Sequence, residues 1–177
     1  MRNSLLLVYL FGTIASSQEP QPLSPEQLHE MQVYLQQPNG DVVPIIQEHS
    51  AKDYEHEGTV PIATAFNTAE MLRLPGAKSA LRVKEGDAVR LWAELPKAIG
   101  PRQLELLRFE TRGKQRVTYL SRFGARSAEG HWNTVPFKAR QNRAPKWLLE
   151  PTDRLPSGEY CLTPSSSTAH YCFGVDK

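Results

Sequence analysis

The chain contains two cysteines, Cys161 and Cys172, whose type and spacing allow three kinds of chemistry. A pair of thiolates can bind a metal ion, act as a redox couple, or be oxidised to a disulfide between two strands. A metal site needs further ligands and a redox couple usually has the CxxC spacing, but the sequence contains neither a CxxC nor an HxxxH pattern. The spacing therefore favours a disulfide, with the metal pair and the redox couple as alternatives.

The residues around the cysteines predict where such a disulfide would lie. If two antiparallel strands are joined by a turn at residues 166–167, Tyr160 faces Phe173 and Cys161 falls opposite Cys172. Side chains alternate along a strand, so the aromatic pair lies on one face of the hairpin and the cysteines on the other. Directly opposed residues bring their Cβ atoms close enough for a disulfide. The sequence thus predicts a stabilising bond across a hairpin and no reactive site.

A second group of titratable residues lies in the stretch DYEHEG. It holds Asp53, Glu55, His56 and Glu57 within five positions. Carboxylates beside an imidazole can bind a divalent cation, but the stretch lacks the glycine spacing of a calcium loop. A solvated acidic loop explains the same residues, so neither a metal site nor a cofactor is predicted.

Catalytic groups are only weakly indicated. The serines at 165–167 precede His170, but no GxSxG motif accompanies them. Glu94, Glu105 and Glu110 are carboxylates that a glycosidase could pair, but spacing alone does not bring any two of them together. A serine-rich turn and glutamates on strand surfaces account for both groups. The sequence predicts that the protein is not an enzyme, with a hydrolase as an alternative class.

The segment 108–147 combines basic and aromatic residues. Such a surface can bind a phosphorylated lipid, an acidic glycan or a nucleic acid through charge and stacking. Alternatively, the aromatic side chains belong to the core and the basic ones are ordinary solvated surface. The candidate polyanion-binding residues are Arg108, Arg112, Lys114, Arg116, Arg122, Arg126, Lys138, Arg140, Arg143 and Lys146, and the aromatic residues among them are Phe109, Tyr119, Phe123, Trp132, Phe137 and Trp147.

The first seventeen residues have the composition of a secretory signal peptide. Arg2 gives a positive charge, residues 5–15 are apolar, and residues 15–17 are small, as at a cleavage site. We expect cleavage near Ser17-Gln18 and a secreted protein, either periplasmic or extracellular. The apolar stretch is about half of the roughly 20 residues that a membrane-spanning helix needs, so no transmembrane span is expected in the mature chain. Secretion makes nucleic acid the least natural of the three ligand classes.

Charge is distributed unevenly along the mature chain. The formal net charge is only +2, but residues 18–57 carry eight acidic side chains and one basic one, and residues 97–146 carry twelve basic and three acidic ones. This asymmetry indicates a polyanionic partner or an acidic arm that folds onto a basic surface, with two solvated surfaces as the alternative.

Residues 18–78 are predicted to form a linker, a short helix and a β-hairpin. QEPQPLSP is a proline-rich linker, and Ser24 with Gln27 predicts the capping box of a helix that ends near Met31. Asn39-Gly40 is a strong signal for a turn between two strands, because both residues tolerate positive φ. A loop over EHSAKDYEHEG and a strand over residues 59–66 follow.

Residues 79–177 are predicted to form an antiparallel β-sandwich. Short segments rich in β-branched or aromatic residues alternate with turn residues, and no helix long enough for a βαβ unit occurs. The predicted strands cover residues 80–84, 88–95, 104–111, 115–121, 132–138, 146–150, 159–163 and 171–175. The fold class is therefore all-β.

Two stretches of this region resemble immunoglobulin-like and fibronectin type III-like domains. LRVKEGDAVRLWAEL is similar to their first two strands and WLLEPTDRLPSGEYCL to their later ones, with the tyrosine-corner spacing at Leu155, Gly158 and Tyr160. The resemblance covers about residues 80–177 and implies a hydrogen bond from the Tyr160 hydroxyl to backbone a few residues upstream. It departs from the family because strand 88–95 has no cysteine for an inter-sheet disulfide and Cys161 directly follows the tyrosine.

The sequence therefore predicts a secreted immunoglobulin-like β-sandwich preceded by a small N-terminal hairpin segment. Such sandwiches present ligands on loops or strand edges, so we predict a non-catalytic binding or adhesion module of the cell envelope or extracellular space. A structural subunit of a larger envelope assembly is the main alternative. The partner is predicted only as a protein, an acidic glycan or a lipid.

Overall fold

The computed structural model of the protein describes residues 31–56, 68–97, 99–123, 133–165 and 167–177. Within these ranges the chain is nearly all β, with one 3-10 turn over Pro101–Gln103 and no helix that is long and apolar enough to cross a membrane. The prediction of an all-β fold is confirmed. The predicted signal peptide and the strand over residues 59–66 lie outside the described residues, as does the helix from Ser24 to about Met31 except for Met31 itself, which is not helical.

The described ranges form fourteen strands. They are β1 (Gln32–Gln36), β2 (Val42–Pro44), β3 (Gln47–His49), β4 (Ala51–His56), β5 (Thr68–Pro75), β6 (Arg82–Lys84), β7 (Arg90–Glu94), β8 (Leu104–Arg112), β9 (Gln115–Phe123), β10 (Thr134–Val135), β11 (Phe137–Arg143), β12 (Lys146–Pro151), β13 (Gly158–Pro164) and β14 (Ala169–Asp176).

The strands build two sheets. One has five strands in the order β11-β12-β7-β1-β2. The other has the order β3-β14-β13-β8-β9-β5-β4, with β10 beside β8 and β6 beside β14. Every pairing is antiparallel except that of β6 with β14.

The main core lies between these two sheets. Alternate residues of the five-stranded sheet, such as Leu35, Leu91 and Leu149, pack in one cluster with Leu106 and Phe173 of the nine-stranded sheet. Strands that bury every second side chain against a facing sheet form a sandwich. The predicted antiparallel sandwich is therefore present.

The nine-stranded sheet curls until its two ends almost meet. Its end strands β3 and β4 are consecutive in the chain and are separated by Ser50 alone, whose backbone N–H donates to the carbonyl oxygen of Thr168 at 2.9 Å. The curl encloses a second apolar cluster. This cluster consists of Leu72, Leu74, Leu107, Phe109, Cys161 and Cys172.

The last hairpin has the register that the sequence predicts. Tyr160 pairs with Phe173, Cys161 pairs with Cys172, and the two cysteines form a disulfide. The aromatic pair faces the main core, whereas the disulfide faces the second cluster. Both faces of this hairpin are therefore buried, because the curled sheet covers the side that the sandwich leaves open.

The N-terminal part of the chain contributes strands to both sheets. The predicted hairpin is confirmed as β1 and β2, with Gly40 at φ 92° in the turn, and β1 lies between β7 and β2. The predicted loop over residues 48–58 is wrong where the structure describes it, because β3 and β4 lie there. The sequences of these strands, QEH and AKDYEH, lack the apolar alternation by which a strand is predicted. Lys52 and Asp53 of β4 are exposed on the strand surface.

Candidate functional site

The surface of the five-stranded sheet that points away from the core is the main candidate for binding. Core residues alternate along each strand, so the residues between them, including Tyr34, Trp92 and Leu148, face outward. We call this surface the outer face. It consists of Gln32, Tyr34, Gln36, Val42, Pro44, Arg90, Trp92, Glu94, Lys138, Arg140, Lys146, Leu148 and Glu150.

An uncharged row crosses the middle of the outer face. Strand register places Arg140 opposite Leu148, Leu148 opposite Trp92, Trp92 opposite Tyr34, and Tyr34 opposite Pro44. The three central side chains are half-buried. The row thus crosses all five strands and carries a charge only at its β11 end.

The two aromatic side chains of this row are anchored by glutamines of β1. The Trp92 indole N–H donates to the side-chain oxygen of Gln36 at 3.1 Å, and the Tyr34 hydroxyl donates to the side-chain oxygen of Gln32. Gln36 and Gln32 lie at opposite ends of β1, so the two polar tips are drawn in opposite directions along the strand. The bonds use the side-chain oxygens of the two glutamines and do not use their side-chain –NH₂ groups.

Ion pairs border the row on both sides. Glu150 accepts from Arg90 at 3.1 Å and from Arg140, and these contacts, Arg140 first, lower the pKa of Glu150 below its usual range. On the other side Lys146 contacts Glu94 at 2.9 Å, which raises the pKa of Lys146. These pKa shifts keep Glu150 and Lys146 charged at neutral pH, although exposed pairs of this kind contribute little to stability.

The β11 margin of the outer face carries an excess of positive charge. Lys138 and Arg143 are exposed, and Arg143 is paired with Lys146 across the β11–β12 ladder. Among the described residues neither Lys138 nor Arg143 forms an ion pair. The outer face with Arg143 holds five basic and two acidic side chains, so three positive charges remain uncompensated.

The predicted polyanion-binding residues are divided between the two sheets. Those of the five-stranded sheet lie along its β11–β12 margin, and the rest lie on β8, β9 and the turn between them or outside the described residues. The first group is Lys138, Arg140, Arg143 and Lys146; the second is Arg108, Arg112, Lys114, Arg116 and Arg122; Arg126 lies outside the described residues.

Arg116 differs from the rest of this set because its side chain is only 2% exposed. Its Nε donates to Gly76 O at 3.0 Å, Nη1 donates to Ser79 Oγ at 2.8 Å, and Nη2 donates to Pro75 O at 2.9 Å. Both terminal nitrogens also donate to the carboxylate of Glu48. These five bonds use all five donors of the guanidinium, so Arg116 has none left for an external anion.

The same buried network continues toward the C-terminal strand. Glu159, buried on β13, accepts from the N–H and the hydroxyl of Ser79 at 2.7 Å each and from Arg82 at 2.7 Å. Arg82 in turn donates twice to Asp176 at 2.7 Å. The contact with Asp176, followed by Glu159, raises the pKa of Arg82, and Arg82 lowers that of Asp176. The buried charges of Arg116 and Glu159 are both paired, as burial requires, whereas Asp176 at the end of the network is 46% exposed.

His170 is a fully buried histidine between two hydroxyl groups. Its Nδ1 is 2.7 Å from Thr163 Oγ1 and its Nε2 is 2.7 Å from Ser50 Oγ. Burial first, and then the nearby His49 and Arg116, lower the pKa of His170 to about 4. The imidazole is therefore neutral at physiological pH and bridges β14 to the junction of β3 and β4.

This geometry lacks two requirements of serine hydrolysis. A hydroxyl occupies the Nδ1 side, where a carboxylate would orient the imidazole, and a pKa near 4 makes the ring a weak base at neutral pH. Of the serines predicted beside His170, Ser165 donates to Glu105 at 3.3 Å, Ser167 accepts from the backbone of Ala169, and Ser166 is outside the described residues. Sequence reasoning did not find Ser50, which is 120 positions from His170.

The other predicted groups also have structural partners. Asp53 of the DYEHEG stretch forms an ion pair with Arg73 at 2.8 Å, and Glu57 lies outside the described residues. Glu94 lies on the outer face, whereas Glu110 of the other sheet contacts Arg112. Within the described ranges no group of three or more histidine, cysteine, aspartate or glutamate side chains could hold a metal ion.

The corner before β13 contains the hydrogen bond that the resemblance implies. The Tyr160 hydroxyl donates to the carbonyl oxygen of Pro156 at 2.7 Å, and burial raises the pKa of Tyr160. Leu155 is buried in the main core, and Gly158 lies against the Tyr160 ring, with a Cβ position only 3.5 Å from it.

The chain matches no protein-family model, no curated protein and no solved structure. The geometry of the outer face and the sequence are therefore the basis for assigning a function.

Proposed function

We propose that the protein is a secreted immunoglobulin-like binding module that binds an acidic ligand on its outer face. The observation that carries the proposal is the combination of an uncharged aromatic row with three uncompensated positive charges on one face of the five-stranded sheet. Centres that lack charge and contain tryptophan and tyrosine, with polar margins, are typical of binding surfaces.

The strand order supports the immunoglobulin-like part of the proposal. Immunoglobulin domains place strands A, B, E and D in one sheet and C, F and G in the other, with C′ beside C in variable types. Here β1, β7, β12 and β11 have the first order, and β8, β13 and β14 have the second, with β9 in the place of C′. The hydrogen bond from Tyr160 then lies on the F-like strand, as in a tyrosine corner. Strands β2 to β5 are additions to this plan.

Two features support secretion. The residues before Gln18 have the layout of a signal peptide, and the disulfide between Cys161 and Cys172 is of a kind that persists in oxidising compartments. In such a compartment, a binding module with a positive surface would meet acidic groups of glycans, proteins or lipids.

Salt-dependent binding to a polyanion tests this proposal. Binding of heparin to the full chain should weaken steeply as sodium chloride increases, because screening removes the attraction between exposed charges. Lys138→Glu reverses a charge on the outer face, and Lys114→Glu makes the same change at an exposed lysine of the other sheet. We expect Lys138→Glu to weaken binding and Lys114→Glu to have little effect. An equal effect of both variants, or no binding at low salt, would contradict the outer face as the site.

A further inference from the structure

We propose that the acidic ligand of the outer face is a polysaccharide whose sugar rings stack on Trp92 and Tyr34. This inference rests on the proposed function and specifies the ligand of the same surface. It follows from the geometry of the uncharged row, the donors beside it and the position of the unpaired cations.

The row has the shape of a platform for an extended ligand. Adjacent strands of a sheet are about 4.8 Å apart, so the four steps from Arg140 to Pro44 span about 19 Å. Leu148, Trp92 and Tyr34 fill the middle of this distance without a charge. A sugar ring has an apolar C–H face, which packs against the face of an aromatic ring, and a chain of several rings can lie along such a row.

The glutamines beside the row supply the polar half of sugar recognition. Gln36 and Gln32 accept from Trp92 and Tyr34 through their side-chain oxygens, so the oriented –NH₂ groups remain as donors. No hydrogen bond of these –NH₂ groups occurs within the described part of the chain. Hydroxyl and carboxylate oxygens, which line the edges of an acidic sugar, are the acceptors that these donors fit.

The unpaired cations fix the acidic character of the sugar. Lys138 and Arg143 lie on the edge strand β11, at the end of the row that begins with Arg140. A polysaccharide along the row therefore passes these cations, which would neutralise carboxylate or sulfate groups on its rings. Neutral sugar chains would leave the three excess charges without partners.

The position of the exposed apolar residues argues against a membrane surface as the ligand. A protein that lies on a bilayer inserts projecting apolar side chains beside its cations. Here the exposed large apolar side chains among the described residues are Val42 and Ile46, in and just after β2, whereas Lys138 and Arg143 are on β11. The two strands form opposite edges of the sheet, and the aromatic side chains between them are half-buried.

Calorimetric binding to three probes tests the inference. The probes are heparin, which has sugar rings, inorganic polyphosphate, which has charge without rings, and vesicles that contain phosphatidylglycerol. Trp92→Ala should weaken heparin binding about tenfold, as for a residue at the centre of a binding surface. Trp92→Phe keeps a ring and should recover most of the affinity. Tyr119→Ala, which removes a half-buried aromatic side chain of the other sheet, should leave it unchanged.

The outcomes separate this inference from the proposed function. Unchanged heparin affinity in both Trp92→Ala and Tyr34→Ala, with a loss in Lys138→Glu, would overturn ring stacking and leave a polyanion-binding face. Tighter binding of the vesicles than of heparin would overturn the polysaccharide in favour of a lipid surface. Absence of binding to all three probes at low salt would overturn both. Thermal midpoints equal to that of the wild type establish that each variant is folded.

Discussion

The buried imidazole of His170 makes the stability of the protein depend on pH in a defined window. The pKa of His170 is about 4 in the folded chain, because burial disfavours the charged ring, whereas an unfolded chain gives histidine its ordinary value of about 6.5. As the pH falls below 6.5, the imidazole of His170 binds a proton in the unfolded state, but in the folded state it binds one only near pH 4. The stability is therefore fully present above pH 6.5 and decreases toward pH 4, by about 3 kcal/mol in total.

Urea denaturation of the wild type and of His170→Gln at pH 7 and pH 5 measures this effect. Between these two pH values the wild type should lose about 2 kcal/mol more than the variant, whose amide can still bond a hydroxyl but does not titrate. The ion pairs of Glu150 and Asp176 lower the pKa values of these two carboxyl groups, which favours their ionised forms in the folded chain.

An equal pH dependence in the wild type and in His170→Gln would refute the reasoning, because it would mean that the folded protein binds the proton as readily as the unfolded chain. If His170→Gln does not fold, NMR titration of the His170 imidazole in the wild type gives the same answer. A midpoint near 6.5 for that ring would refute the burial argument directly.

Three further changes have expected outcomes in denaturation experiments. Replacing both cysteines by alanine should lower the free energy of unfolding by about 3 kcal/mol, since the bond closes a short loop, and an unchanged value would show that the bond adds nothing. Tyr160→Phe should cost about 1 kcal/mol through the lost hydrogen bond to backbone, and a neutral effect would mean that water replaces it. Gly174→Ala should cost about 1–3 kcal/mol, because its Cβ would lie 2.1 Å from the Arg82 guanidinium, whereas Gly100→Ala has open space and serves as the control.

Local patterns in the sequence were enough to predict the last hairpin. The register of Cys161 with Cys172 follows from a short turn and from the alternation of apolar residues on either side of it. The hairpin at Asn39-Gly40 follows in the same way from a turn that needs positive φ. Both are contacts between neighbours in sequence, where turn chemistry determines the pairing.

The curled sheet could not be predicted in this way. The described side chains of β4, residues 51–53, are all exposed, so no apolar alternation marks the strand, and eleven residues separate the end of β4 from the start of β5. Arg116 has the same alternation as an exposed strand residue, and its partner Glu48 is 68 positions away. A buried charged residue such as Arg116 can therefore be distinguished from an exposed one only when its distant partner is known.

The sequence predicts which side chains belong to the outer face, but not how their strands are arranged. Tyr34 lies between two core residues in QVYLQ, and Trp92 lies between two in RLWAE, so alternation alone turns both side chains away from the core. Alternation does not predict that β1 and β7 are neighbours, a pairing that places Tyr34 opposite Trp92 although they are 58 positions apart in the sequence. The basic segment was read as one surface, but the chain passes from one sheet to the other between β9 and β11.

The closure of the curled sheet at Ser50 also constrains the order in which its strands can pair during synthesis. Strand β14 supplies the partner of both β3 and β6, and the contact of Ser50 with His170 spans 120 positions. A ribosome produces about 120 residues after β3 before β14 begins, and contacts over such distances form slowly. Until then, the nascent chain carries two strands whose ladder groups are unmatched and able to pair with other chains. Strands β3 and β6 can therefore complete their ladders only after β14 has been made.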